Sequence, residues 1–263
     1  MDKMQTQYHT HIEPKNGWFD IDLKELWRYR DLVWLFTKKN FILIYTLVFG
    51  GIAGISTDGA PQLLFYMGGT ALWSFFSTCL TNTAGTFTRN AGVFGKVYFP
   101  RLVMPISTVL SSAINFTVQF GMFLLFWIFY VFNGQVAPNF AGILLLPLIL
   151  LYLGFLGLGC GIIISSLTTK YRDLAMLVTF GVQLWMYITP VVYPLSTLGD
   201  GLLRKLIMLN PVTCAVEAFR WVFLGAGTVN VLNWSISTLV TAVVVVLGVV
   251  IFSKVEKTFM DTV

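Results

Sequence analysis

The chain has 263 residues, 56% of them hydrophobic and 11% charged, with a mean hydropathy of +0.77 and a formal net charge of +5, whereas a soluble domain carries about 25% charged residues. This excludes a water-soluble domain and points to an all-α, polytopic membrane protein of one domain, 1–263, because several apolar runs reach the roughly 20 residues a helix needs to cross about 30 Å of hydrocarbon. A β-barrel would show alternating segments of about ten residues, and in a membrane protein a basic excess reports topology rather than nucleic acid.

The polar first 40 residues contain no apolar run ending in a small-residue cleavage site, so no removable signal peptide is expected. His9 and His11 form an HxH in this tail and read as solvated side chains rather than metal ligands. Residues 20–39, DIDLKELWRYRDLVWLFTKK, set Leu23, Leu26, Trp27, Tyr29, Val33, Trp34 and Phe36 among charges at helical spacing. That pattern predicts an amphipathic helix at the cytoplasmic membrane interface. The first span, 41–55, has about 15 apolar residues and reaches only about 23 Å, with Lys38 and Lys39 placed to snorkel. The turn STDGAP leads to a second span at 62–82, a basic segment at 83–103 and a third span at 104–132. NGQVAPN links to a glycine-rich fourth span at 141–167, and TTKYRD to a fifth at 174–193. Two pieces follow, 202–209 and 212–225, divided by Asn210-Pro211. Neither can cross, the longer reaching about 20 Å, so a re-entrant or interfacial pair within 200–225 is expected. The sixth span is 232–253.

Basic residues orient these spans. Seven lysines and arginines precede the first span, three lie in 83–103, two in TTKYRD and two at the C-terminal end, while Arg204, Lys205 and Arg220 alone fall outside. Six spans with both termini cytoplasmic satisfy this bias.

Ionisable residues inside a membrane persist for function, and the central turns of the six spans have none, which argues against an enzyme or a proton-coupled carrier. There are no paired carboxylates, no Ser/His/Asp set and no HExxH. Cys79, Cys160 and Cys214 lie far apart and read as small apolar packers, with no metal site expected. The sequence ending GVFGK resembles a phosphate-binding loop only superficially: Asn90 replaces the first glycine and Val97 the Ser/Thr. No ATP is expected on this chain, so energy for transport must come from a partner. The spans do offer aromatic side chains, with Tyr66, Trp73 and Phe76 in the second and Trp185, Tyr187 and Tyr193 in the fifth, beside the hydroxyls of Ser74, Ser77, Thr78 and Thr81. Interfacial anchoring and packing explain many such residues. The alternative is a neutral aromatic wall suited to a polyhydroxylated substrate. Gly157 and Gly161 form a GxxxG, as do Gly50 and Gly54, the spacing of close helix packing within a bundle or a dimer. Glu217 and Arg220 sit at i, i+3 and can pair.

The segments AGVFGKVYFPRLVMPIS (91–107), LSSAINF, SSLTTKYRDL and LNPVTCAVEAFRWVFLG (209–225) resemble the permease subunit of polysaccharide-exporting ABC-2 transporters, the family that moves O-antigen, teichoic acid or capsule chains. The resemblance implies a homodimer of six-span permeases in membrane lipid, joined by two cytoplasmic subunits that bind ATP and Mg²⁺ and drive export of a lipid-linked polysaccharide. It places a coupling segment to the ATPase around Arg89, Asn90, Val93, Phe94 and Lys96. It turns the outer pair, with Asn210, Pro211, Glu217 and Arg220, into a gate, and the six aromatics into a conduit wall. Pro100 and Pro105 would then separate a short surface helix from the third span. A small-lipid or drug permease of the same family, or a non-transporting protein of envelope assembly, are the competing readings.

Overall fold

The computed structural model describes residues 56–86, 102–170, 173–199 and 201–260, without the side chains of 169, 170 and 254–260. The expected interfacial helix 20–39, the first span, the HxH, Gly50 and Gly54, and Arg89, Asn90, Val93, Phe94 and Lys96 lie outside these residues. The described residues are helical and contain no strand. In chain order they form α1 (Gln62–Ala84), α2 (Val103–Phe132), a 3-10 segment (Phe140–Leu145) that runs into α3 (Leu146–Lys170), α4 (Leu174–Ile188), a 3-10 turn (Leu195–Thr197), α5 (Leu202–Met208), α6 (Pro211–Phe223) and α7 (Val231–Met260).

Four of these are long and apolar enough to cross a bilayer: α1, α2, α3 with its 3-10 lead-in, and α7. A fifth crossing is possible if α5 and α6, which meet at 87°, form one bent span. The fifth expected span is shorter than its apolar run. Predicted to reach 193, α4 ends at Ile188, where Thr189 turns extended (φ −89°, ψ 137°). Pro190 explains this, because its ring disfavours helical backbone in the residue before it. At 15 residues, α4 measures about 22 Å.

The helices take different stations. In α1, 72% of the apolar window is buried, against 17% in α2 and 22% in α7. Thus α1 is the inner helix, with α2, α3, α4 and α6 all packed on it. Aliphatic side chains such as Leu110, Ile114, Val118 and Leu125 of α2 and Leu239 and Val246 of α7 are exposed, as suits helices whose solvent is hydrocarbon.

The glycines of α3 explain its central packing. A Cβ on Gly157 would lie 2.7 Å from Cys79 Cβ, and one on Gly161 would lie 2.5 Å from Thr83 Cβ and 2.8 Å from the Leu80 carbonyl oxygen. The GxxxG therefore seats α3 directly on α1 within one chain. On another face a Cβ on Gly159 would lie 3.1 Å from Val244 and Val245 of α7, a tight but less severe contact. Small residues on two faces let α3 sit tightly between two neighbours, where dispersion rather than water release supplies the attraction.

Candidate functional site

The α5–α6 bend is built by two residues. Pro211 opens α6 with a ring already set for helix and an amide it does not need. Asn210 caps the helix, its Oδ1 accepting from Val212 N at 3.2 Å. The same oxygen accepts from Trp185 Nε1 of α4 at 3.3 Å, and Asn210 Nδ2 donates to Thr189 Oγ1 at 2.9 Å. Tyr152 of α3 donates its hydroxyl to the Pro211 carbonyl at 3.0 Å. One amide thus joins the start of α6 to the end of α4. Asn210→Ala should lower stability by about 1–2 kcal/mol, through loss of the cap and of both bridging bonds. Asn210→Asp keeps the acceptor but not the donor to Thr189, and should fall between the two in thermal unfolding of the purified permease.

Further along α6, Glu217 and Arg220 form a buried ion pair, Nη1 to Oε1 at 3.1 Å, with side chains 6% and 1% exposed. Burial of two charges is sustained only when the remaining donors and acceptors are met, and here most are. Arg220 Nη2 donates to the Val191 carbonyl at 2.9 Å and Nη1 also to that of Tyr193 at 3.4 Å. The guanidinium lies 3.6 Å from the centroid of the Phe65 ring in α1, a cation–π contact. Glu217 Oε2 accepts from the amide of Thr228 at 3.1 Å. Gly227 (φ +120°) lets the loop lie against α6, where a Cβ would come within 2.7 Å of the Glu217 carbonyl oxygen. The pair therefore clasps the α4–α5 loop on one side and the α6–α7 loop on the other.

The aromatic residues singled out from sequence divide into two layers. Tyr66, Trp73 and Phe76 of α1 are buried. Trp73 and Phe76 stand 5.5 Å apart, and both meet the edge of Trp185, at 6.4 and 5.2 Å. Outside them Trp185 and Tyr193 are half-buried and Tyr187 is exposed. Tyr193 donates to the carbonyl of Tyr187 or Ile188, each 3.3 Å away. Through Trp185, which bonds Asn210, the inner aromatic layer and the bent helix pair form one connected unit. The loop carbonyls of 191 and 193, Thr189 and Thr228 were not singled out from sequence, because backbone partners leave no compositional signal. A second ring cluster also went unsignalled: Phe120 and Phe123 of α2 against Phe219 and Phe223 of α6, with ring centroids 5.2–6.3 Å apart across the two helices. Trp127 Nε1 donates to the Phe223 carbonyl at 2.7 Å beside them. These contacts set α6 against the bundle. The arrangement offers a buried electrostatic clasp and an aromatic surface.

Comparison with known proteins places these features in context. The ABC-2 type transporter family model matches residues 20–224. The chain is 27% identical over 243 residues to an O-antigen export system permease protein RfbA of Klebsiella pneumoniae, covering 91% of each chain. A second RfbA of that organism is 26% identical over the same length and share. The RfbA of Myxococcus xanthus is 30% identical over 206 residues, 77% of this chain and 76% of that one.

Proposed function

Because the chain belongs to the ABC-2 type transporter family, whose members are membrane subunits of transporters, we propose that it is the permease that exports a lipid-linked polysaccharide, of O-antigen or teichoic-acid kind, across the bacterial inner membrane. The observation that carries this reading is similarity over 91% of its length to permeases named for O-antigen export. Spans free of ionisable groups and an aromatic surface beside the bent helix pair support it, since a neutral polyhydroxylated chain needs stacking faces rather than charges.

In this reading two copies form the pathway and two cytoplasmic ATP-binding subunits, carrying ATP and Mg²⁺, power it. The basic-residue distribution supports six spans with both ends inside, and α1, α2, α3, α4 and α7 correspond to the second to sixth. Residues 20–39 lie along the inner interface. Arg89, Asn90, Val93, Phe94 and Lys96 receive the ATPase stroke on the cytoplasmic side. On the outer side α5 and α6 re-enter the membrane as a gate held by Asn210, Pro211, Glu217 and Arg220. Trp185, Tyr187 and Tyr193 present aromatic faces to the polymer, and Tyr66, Trp73 and Phe76 back them.

Deleting the gene should remove polymer from the cell surface and leave it inside, and the purified permease should bring an ATP-binding subunit with it. Surface polymer at the parental level would overturn the reading. Lys96→Glu or Phe94→Ala should reduce polymer-stimulated ATPase activity severalfold at unchanged permease level in the membrane. Full stimulation and export in both variants would remove the coupling role.

A further inference from the structure

Between α6 and α7 a small cleft takes its polar lining from Thr213 and Glu217 of α6, Thr228 and Asn230 of the joining loop and Asn233 of α7, beside Trp234 and the less polar Leu195, Met208 and Cys214. Its interior has room for one water-sized group, about 10 Å³, the least that holds a water or a hydroxyl oxygen. Thr213 is 2% exposed, and its Oγ1 has no hydrogen-bond partner among the described residues. A buried hydroxyl left so is costly unless something outside the chain completes it. The half-buried amide of Asn233 engages none of the described residues either. Asn230 uses its Oδ1 on the Leu232 amide at 2.9 Å, which leaves its Nδ2 donors. Glu217 accepts from Arg220 and from Thr228 N and has lone pairs to spare. Trp234, also in the lining, is half-buried and braced against Tyr152, with ring centroids 5.3 Å apart.

The donor and acceptor set selects the ligand. Arg220 already neutralises Glu217, so the cleft has no net charge to hold either a cation or an anion. A neutral group that both donates and accepts fits it, and one oxygen fits its size. We propose that the cleft is a saccharide subsite on the outer side of the permease: one sugar hydroxyl sits among Thr213, Asn233 and Glu217 while the ring lies against Trp234. The subsite rests on the polysaccharide-export reading and adds to it the place where the polymer is held beside the gate.

The test uses the complete transporter in cells that make the polymer and in cells blocked in its synthesis. Asn233→Cys is labelled from outside with a membrane-impermeant maleimide. The labelling rate should fall at least fivefold when polymer is present. In polymer-making cells the Thr213→Val/Asn233→Leu variant should export at least fivefold less polymer, at unchanged permease level and unchanged recovery of the ATP-binding subunit; Thr213→Val alone, close in shape, should give part of that loss. Equal labelling in the two strains overturns the subsite and leaves the cleft to water. No labelling from outside in either strain overturns it as well, because the cleft then does not open outward. These results are separable from failure of the export reading, which is shown by normal surface polymer after deletion of the gene and which would remove both.

Discussion

Arg220→Met is expected to abolish export and to lower stability by about 3–5 kcal/mol, the range for removing one partner of a buried ion pair. The guanidinium bonds Glu217 and the carbonyls of Val191 and Tyr193 and faces the Phe65 ring. Methionine fills the volume but leaves a buried carboxylate without its counter-charge and two loop carbonyls without their donor. Arg220→Lys keeps the charge yet loses the planar fork, so it should recover only part of the loss. Glu217→Gln should be milder, because Arg220 retains two carbonyls and a ring. The double variant Glu217→Gln/Arg220→Met removes both charges and should be more stable than Arg220→Met alone, the non-additivity expected of contacting residues. Thermal unfolding of purified permease and the amount of surface polymer measure these effects. Wild-type values for Arg220→Met would show that the clasp holds nothing.

Gly161→Leu is expected to prevent assembly. The first added carbon would lie 2.5 Å from Thr83 Cβ and 2.8 Å from the backbone oxygen of Leu80. Neither atom is the end of a flexible side chain, so α3 must move away from α1. Overpacking costs about 1–3 kcal/mol where neighbours can yield, and more where backbone stands in the way. Gly121→Ala in α2 is the control. Nothing lies within 4 Å of a Cβ there, and alanine favours helix by up to about 1 kcal/mol. The yield of monodisperse permease from membranes should collapse for the first and stay level for the second. Equal yields would mean that α1 and α3 are not held as closely as their glycines allow.

Much of the span pattern is legible from composition because hydrocarbon selects apolar runs of a set length, and α1, α2 and α7 begin within a residue of expectation. The C-terminal end of α4 was legible too, but only by weighting Pro190 over the apolar residues that follow it. The facing of the aromatic residues was not. In water an amphipathic stripe tells the buried side of a helix from the exposed side, whereas a helix between lipid and protein is apolar on both. Hence Tyr66, Trp73 and Phe76, buried, and Tyr187, exposed, look alike in sequence. The Glu217–Arg220 pair follows from its i, i+3 spacing, but Phe65, Val191, Tyr193 and Thr228 reach it from three other segments. The GxxxG announced a close approach without naming its partner, which proves to be α1 of the same chain.

The inner station of α1 bears on how the protein is made. It is the least apolar of the four long helices and the most enclosed by its neighbours. The helix that leaves the ribosome early is therefore the one that lipid alone retains least well, and α3, which supplies its closest-fitting surface, is synthesised some 60 residues later. Stable residence of α1 in the bilayer must wait for that surface. Chains halted after α2 should be cleared by membrane proteases, and a nascent chain should become secure only once Gly157 and Gly161 have been translated.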